Sequence, residues 1–424
     1  MMTYEEALTY IHSVCWKGSV PGLSRTQELL AKMGNPEKTM KYVHITGTNG
    51  KGSTASMTAS VLCKAGYRTG LYTSPYIWRF NERMNVDGED ISDEELAEIT
   101  EWVKPLAETM ADPPTEFELV TVIGFAYFAR HNCDIVVLEV GMGGALDSTN
   151  VIPAPEVAVM TNIGLDHTEY LGNTLEAIAE TKAGIIKPGC EAVLYPSTEA
   201  VEQTVRSICK ERNVPFSMAN FGAIVPKSKD FSGQTFSYGR YSDIRLPLLG
   251  NHQLCNCTVV LEVLEALRRK GWKISDENLY DGIRDTVWPG RFELLRRNPV
   301  FIVDGGHNPQ CLEALADNVR EYLAGQRIVG LTGVMADKDY TDMYAEMAPY
   351  IDRFVAVTPD NPRAMLAPDL AKFLEQFGKP AQAAPSVEQG VLDAMALAGD
   401  DGVVLAFGSL YMTGTIRETV RKSL

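Results

Sequence analysis

Short apolar runs of strand length recur along the chain, separated by longer stretches in which apolar residues return with a helical period. The runs at 42–46, 69–73, 134–140, 157–162 and 192–195 form one group, and those at 300–304, 327–333, 353–358 and 402–407 form another. Such β-α alternation predicts parallel sheets with helices on both faces, and it occurs twice. Between the groups, Trp288-Pro289-Gly290-Arg291 is a turn-rich break after a helix-like segment at 278–284, which puts a junction near residue 290. The pattern therefore predicts an α/β protein with an N-terminal domain over residues 1–290 and a smaller C-terminal domain over 291–424. The acidic run 88–99 is expected to be a solvated helix face, with Ser92 as N-cap and Glu95 as its capping-box partner.

The length of 424 residues exceeds the roughly 250–300 at which a single core stops growing, in agreement with two domains. A formal net charge of −16 argues against a nucleic-acid partner, because phosphate backbones are held by basic surfaces. An anionic ligand must then be held by a local group of donors. The start, MMTYEEALTYIHSV, carries acids where a secretory leader carries bases, and no apolar stretch approaches the ~18–20 residues that span a bilayer. A cytoplasmic protein with no membrane partner is expected. The eight cysteines form no C-x-x-C pair, so reduced thiols are expected in place of a zinc site or a disulfide framework.

One stretch answers the need for local donors. The strand at 42–46 runs into Gly47-Thr48-Asn49-Gly50-Lys51-Gly52-Ser53, and a helix is expected from Ser53 to about Ala65. Glycines let successive backbone N–H groups turn onto an anion, a helix N-terminus adds partial positive charge, and a lysine reaches outer phosphates. The spacing departs from G-x-x-x-x-G-K-[ST], since Gly52 separates Lys51 from Ser53. A nucleoside triphosphate brings magnesium, which takes oxygen ligands. Glu139 closes the apolar run at 134–139, where ligands gather in open α/β sheets; it either holds the metal or ends the strand in solvent.

Together, TGTNGKGS (46–53), TSPYIWRFNERM (73–84), TEFE (115–118), EVGMGGALDSTN (139–150), NIGLDH (162–167), KAGIIKPG (182–189), WPGRFE (288–293) and DGGHNP (304–309) resemble the folylpolyglutamate synthase and dihydrofolate synthase family, the folate branch of the Mur-type amide ligases. The resemblance implies an N-terminal P-loop nucleotide-binding domain with a mainly parallel sheet and a C-terminal Rossmann-like domain closing over ATP and glutamate. It also implies a reaction in which ATP phosphorylates a carboxylate of a folate or dihydropteroate, and the amine of L-glutamate then displaces phosphate from the acyl phosphate. Such chemistry depends on magnesium and preorganised donors at the transferring oxygens.

Carried over by position, the resemblance gives Asn49, Gly50, Lys51, Gly52 and Ser53 to the ATP phosphates, and Ser74, Glu139 and His167 to magnesium. Lys182 matches a lysine that the family can carry as a carbamate, an oxygen ligand for a second magnesium; otherwise it is a surface lysine. Lys51, Glu139, His167 and Lys182 would form the catalytic group. Asn256, Arg291, Asp304 and His307 match contacts to ATP from the closing side, with an interdomain salt bridge as the other reading of Arg291. Phe117, Glu118, Leu146, Asp147 and Ser148 match pteroate-binding segments, Phe117 being either an aromatic platform or helix core. Arg25, in Pro21-Gly22-Leu23-Ser24-Arg25, either meets a carboxylate or pterin oxygen or is a solvated helix-start arginine; the dihydrofolate synthase activity rests largely on it.

Two positions depart from the family pattern. Ala145 stands where an arginine is usual, and Thr181 where a glutamate often precedes the modified lysine. Only 46 residues precede Gly47, too few for the UDP-sugar domain of the cell-wall ligases, and a monomer is the family expectation. The alternatives are a folylpolyglutamate synthase alone, a P-loop kinase, or a non-catalytic ATP-binding switch. Neither of the last two requires the Glu139, His167 and Lys182 segments to occur together.

Overall fold

The computed structural model describes residues 2–14, 18, 20–166 and 168–423. Its strands in chain order are β1 (Lys41–Thr46), β2 (Thr69–Tyr72), β3 (Met84–Val86), β4 (Glu89–Asp90), β5 (Ile135–Glu139), β6 (Val157–Met160), β7 (Glu191–Leu194), β8 (Phe216–Met218), β9 (Ile224–Asp230), β10 (Gly233–Tyr238), β11 (Tyr241–Leu246), β12 (Glu293–Arg297), β13 (Val300–Val303), β14 (Ile328–Thr332), β15 (Arg353–Ala356), β16 (Ala381–Ala383) and β17 (Val403–Phe407). They form an eight-stranded sheet ordered β4-β3-β2-β5-β1-β6-β7-β8, a three-stranded sheet β11-β10-β9, and a six-stranded sheet β12-β13-β17-β14-β15-β16. The large sheet is parallel except at the β2–β3 and β3–β4 pairs, and the six-stranded one except at β12–β13.

Each apolar run expected to be a strand becomes one, because parallel strands covered on both faces leave no polar side to alternate with. The strands absent from the sequence reading are the edges and the antiparallel meander. β9, IVPKSKD, is exposed along most of its length and carries a proline and two lysines, features that blunt an edge and mask the strand signal. Ser92 caps the helix Asp93–Glu108 as expected, but Glu95 does not close a capping box. Its carboxylate turns instead to the His131 ring at 2.9 Å, with Arg130 3.9 Å away.

β1 lies at the centre of the large sheet, between β5 and β6. Its odd residues Val43 and Ile45 enter the core shared with the helices Lys51–Lys64 and Asn251–Arg269. On the other face Tyr42 packs with Phe125 of the helix Glu116–Arg130 at a ring separation of 6.1 Å. The helix Asp276–Arg284 presses Gly282 onto Lys51–Lys64, where an added Cβ would lie 2.4 Å from Val61 Cα.

That contact makes a prediction about stability. Gly282→Ala gains up to ~1 kcal/mol of helix propensity, but overpacking against a backbone atom costs about 1–3 kcal/mol. Net destabilisation of about 1–2 kcal/mol is expected in denaturant unfolding, and a stabilised variant would contradict the close approach.

Candidate active site

The chain leaves β1 at Thr46 and enters the helix Lys51–Lys64 through the glycine loop, as the sequence predicts, although the helix begins at Lys51 and not at Ser53. Gly47 adopts φ +154°, and a Cβ there would lie 1.8 Å from Thr161 Oγ1; Gly50 adopts φ +86°, with Asn256 Oδ1 2.6 Å from where a Cβ would stand. No other residue fits either place. The Lys51 ammonium folds back and donates to the carbonyl oxygens of Gly47 and Thr48, both at 3.1 Å.

Lys182 is not a surface residue. It ends the helix Leu175–Lys182, is buried, and donates to the same Gly47 carbonyl at 2.9 Å. Burial, followed by the nearby Lys51 charge, lowers its pKa to about 7. Glu139 closes β5, likewise buried, so the reading of a solvated strand end is excluded. It accepts the Ser74 backbone N–H at 3.2 Å; burial pushes its pKa up, while Lys51, the Ser74 N–H, Arg291 and Arg83 oppose that shift.

The Ser74 hydroxyl accepts from Arg83 Nη1 at 3.0 Å, and the Arg83 guanidinium lies 5.1 Å and 5.5 Å from the Tyr76 and Phe80 ring centres. The sequence reading misses Arg83; the available signal was its place in the FNERM segment. A buried carboxylate with a hydroxyl-bearing neighbour, beside a phosphate loop, is the oxygen donor chemistry that magnesium takes. Lys182 as an ammonium offers no lone pair, and no three His, Cys, Asp or Glu side chains gather as a ready metal cluster among the described residues. His167 lies outside the described residues.

From the other side, Asn256 is buried and donates to Gln253 Oε1 at 3.1 Å, and Gln253 in turn donates to Ser53 Oγ at 3.3 Å. Asp304 ends the run into β13's loop and is committed to backbone, accepting from Phe292 N at 2.8 Å and Gly306 N at 2.7 Å. It thereby fixes the hinge residue and the loop bearing His307, whose ring sits 2.9 Å from the Gly305 carbonyl; crowding by protein lowers the His307 pKa to about 4. Arg291 makes no ion pair among the described residues, which removes the salt-bridge reading.

The loop meets Asn49 directly. Asn308 Nδ2 donates to Asn49 Oδ1 at 2.9 Å, Asn49 Nδ2 donates to Gln310 Oε1 at 3.1 Å, and Lys338 pairs with Asp166 at 3.1 Å. Asn308 and Asp166 lie in the DGGHNP and NIGLDH segments but are not singled out by the sequence reading, and Gln310 and Lys338 are absent from it.

On the acceptor side, Arg25 and Glu118 hold each other. Arg25 Nε donates to Glu118 Oε2 at 2.8 Å, Nη1 reaches Asp112 at 3.2 Å and Nη2 the Val20 carbonyl at 2.6 Å, so Arg25 is not the solvated arginine of the alternative reading. Glu118 is also the capping-box partner of Thr115. Phe117 is half-buried, its ring against Gly141, where a Cβ would lie 2.4 Å from the ring carbon Cζ. Leu146 is exposed, Asp147 and Ser148 are buried, and the Leu146 carbonyl accepts Gly22 N–H at 3.3 Å, which joins the Pro21–Arg25 segment to the glycine-rich loop. Ala145 rests on Gly184, so no cation enters from that position.

The buried amine gives a pH-dependent prediction. Lys182 has a folded pKa of about 7 against 10.5 for a free lysine, so the unfolded chain binds more protons between those values and stability rises with pH there. The penalty is full below pH about 7 and gone above the unfolded pKa. Lys182→Met, which leaves the Gly47 carbonyl to Lys51, should therefore stabilise by about 1–3 kcal/mol at pH 6 and progressively less as the pH is raised towards 10, read by denaturant unfolding. A pH-independent difference would contradict this.

The Mur ligase middle domain model matches residues 45–264, and the Mur ligase glutamate ligase domain model matches residues 290–410. The chain is 37% identical over 429 residues to the dihydrofolate synthase/folylpolyglutamate synthase of Bacillus subtilis, covering 99% of both chains. It is 35% identical over 437 residues to the folylpolyglutamate synthase of Lacticaseibacillus casei, again covering 99% of both. Among solved structures, Mycobacterium tuberculosis folylpolyglutamate synthase complexed with ADP and AMPPCP superposes with a TM-score of 0.90 at 29% identity, over 98% of this chain and 99% of that one. Escherichia coli FolC in complex with DHPP and ADP superposes with a TM-score of 0.88 at 28% identity, over 99% of this chain and 98% of that one. With both Mur ligase domain models matched and likeness to these enzymes along almost its whole length, the chain belongs to the folylpolyglutamate synthase and dihydrofolate synthase family of Mur-type ligases.

Proposed function

We propose that this protein is an ATP-dependent ligase that joins L-glutamate to folates and also to 7,8-dihydropteroate. The observation that carries the reading is the convergence of Lys51 and Lys182 on the Gly47 carbonyl, beside the buried Glu139. The Lys51 cation beside a loop of backbone N–H groups suits a polyphosphate, and a kinase or a passive switch has no need of a second, buried lysine whose pKa of about 7 leaves a neutral amine available, or of a second α/β domain.

In this reading residues 1–290 bind ATP and the acceptor, and residues 291–424 close over ATP and glutamate. The loop N–H groups of Asn49 to Ser53 hold the phosphates, and Lys51 neutralises charge on the transferring group. The acceptor carboxylate attacks the γ-phosphorus and ADP leaves; the neutral amine of glutamate then attacks the acyl carbon, the acyl C–O bond breaks with its electron pair going to the departing phosphate, and the nitrogen loses a proton as the amide forms. Asn256, Arg291 and the loop fixed by Asp304 complete the nucleotide site from the closing side. Glu139 and Ser74, with His167, would hold magnesium, which supplies charge neutralisation at the phosphoryl oxygens when bound. Phe117 and Asp147 face the flat ring of the acceptor.

The bifunctional reading draws on the name shared by relatives, on the E. coli structure that contains DHPP, and on the bond between Gly22 and the Leu146 loop. The described cysteines are all free, which supports work in a reducing compartment such as the cytoplasm, and a monomer is what the family resemblance implies.

Phosphate release with Mg-ATP and L-glutamate should rise with either dihydropteroate or a reduced folate, each product gaining glutamate by mass. Release with reduced folate alone would leave a folylpolyglutamate synthase; no glutamate-dependent release with any acceptor would sink the ligase reading. Lys182 should carry a carbamate at ample bicarbonate, formed when its neutral amine adds to CO2 and a proton is lost. An adduct signal from 13C-bicarbonate that Lys182→Ala abolishes, together with at least a hundredfold loss of kcat in that variant, is expected; full turnover without the lysine would refute the role.

A further inference from the structure

The even positions of β1 carry a residue that the nucleotide and metal chemistry does not use. His44 is fully buried in mid-strand, on the face of the large sheet that holds Tyr42, where an apolar side chain would pack at less cost. A buried polar group at such a place either has a task or destabilises the sheet for nothing.

With Asp147 as a carboxylate, the hydrogen bonds around His44 have one consistent direction. His44 Nε2 lies 2.9 Å from Thr149 Oγ1, and Thr149 Oγ1 donates to Asp147 Oδ1 at 2.6 Å. A threonine hydroxyl has one hydrogen, here committed to a carboxylate, so it must accept from Nε2–H of the imidazole. That fixes a neutral ring with its hydrogen on Nε2 and its Nδ1 bare, and Nδ1 is indeed buried without a partner. Burial first, and then the charge of Lys187, which is clamped to the carbonyls of Asn150 at 2.8 Å and Ile152 at 2.5 Å, opposes a second proton on the ring.

Asp147 is the end of this chain of donors. Its Oδ1 also accepts Thr149 N–H at 3.0 Å, and Oδ2 accepts Met142 N–H at 2.9 Å. Burial favours the protonated acid, and these donors favour the carboxylate. Two positions after His44 on the same face, Thr46 donates to the Gly143 carbonyl, so β1 fastens the loop that carries Asp147 at two points.

We propose that His44 is a positioning residue: through Thr149 it holds Asp147 ionised and in one orientation, so that the acceptor site presents a fixed hydrogen-bond acceptor to the ring of the substrate. This rests on the reading of Asp147 as an acceptor-site residue. Removing the imidazole donor frees the threonine hydroxyl to turn, and Asp147 then loses its shortest partner and its preference for one rotamer.

The test is steady-state kinetics of the full-length protein with dihydropteroate and ATP varied in turn. His44→Leu and the near-isosteric Thr149→Val should each raise the KM for dihydropteroate about tenfold and leave the KM for ATP within about twofold. His44→Gln, whose amide N–H can stand near the Nε2 position, and Thr149→Ser should stay within about threefold of the parent. Asp147→Asn serves as the reference. If it raises the dihydropteroate KM while both His44→Leu and Thr149→Val leave that KM unchanged, the relay is wrong and the site reading stands. If Asp147→Asn leaves the KM unchanged, the placement of Asp147 fails and the relay with it. Equal changes in both KM values, or a lowered unfolding midpoint with unchanged KM values, would make His44 a packing residue only.

Discussion

Two ammonium groups share one carbonyl oxygen at the heart of this molecule, and the arrangement around them follows from that. Lys51 and Lys182 both donate to Gly47, Lys182 from a buried position and Lys51 from a partly exposed one. Like charges so placed repel, and the interior gives them little screening. A polyanion relieves the strain that the protein alone leaves in place. Glu139 relieves part of it, which is why a carboxylate can remain buried at the end of β5 with a single backbone donor.

In the proposed reading the central strand serves both sides of the reaction. β1 delivers the glycine loop from its C-terminal end, and its buried His44 and Thr46 tie down the segment from Gly141 to Thr149. Nucleotide loop and acceptor loop therefore hang from one rigid element. A strand hydrogen-bonded to neighbours on both edges holds such a geometry better than two independent loops could.

Much of this was legible in the sequence, and the reason is locality. The phosphate loop needs a strand, glycines, a lysine and a helix in consecutive order, all visible in the residues from Tyr42 to Ala65. The parallel strands were visible because burial on both faces leaves an unbroken apolar run. What stayed hidden depends on partners far apart in the chain. Asn49 and Asn308 are 259 positions apart and Asp166 and Lys338 are 172 apart, and no local pattern links them. Arg25 and Glu118 were both singled out as substrate contacts, yet nothing in either segment reveals that they bind each other. The β9–β11 meander was hidden for a different reason: an exposed strand with lysines and a proline looks like a loop.

The seam between the two α/β halves has a consequence of its own. Near the phosphate loop it is made of neutral amides, Asn49 with Asn308 and Gln310, and one partly screened ion pair, Lys338 with Asp166. Amide pairs trade for water at little net free energy, and an ion pair of this kind adds about 1 kcal/mol at most. Beside the loop such contacts align the halves without fastening them. The firmer contacts lie away from it, where Lys229 pairs with Glu321, the Phe231 and Tyr322 rings stand 5.7 Å apart and Gly414 lies close against Ile77 and Trp78. A catalyst that must admit several reactants and shed as many products in each cycle gains more from a seam that registers than from one that grips, because the slow step in leaving is then set by the ligands and not by the fold.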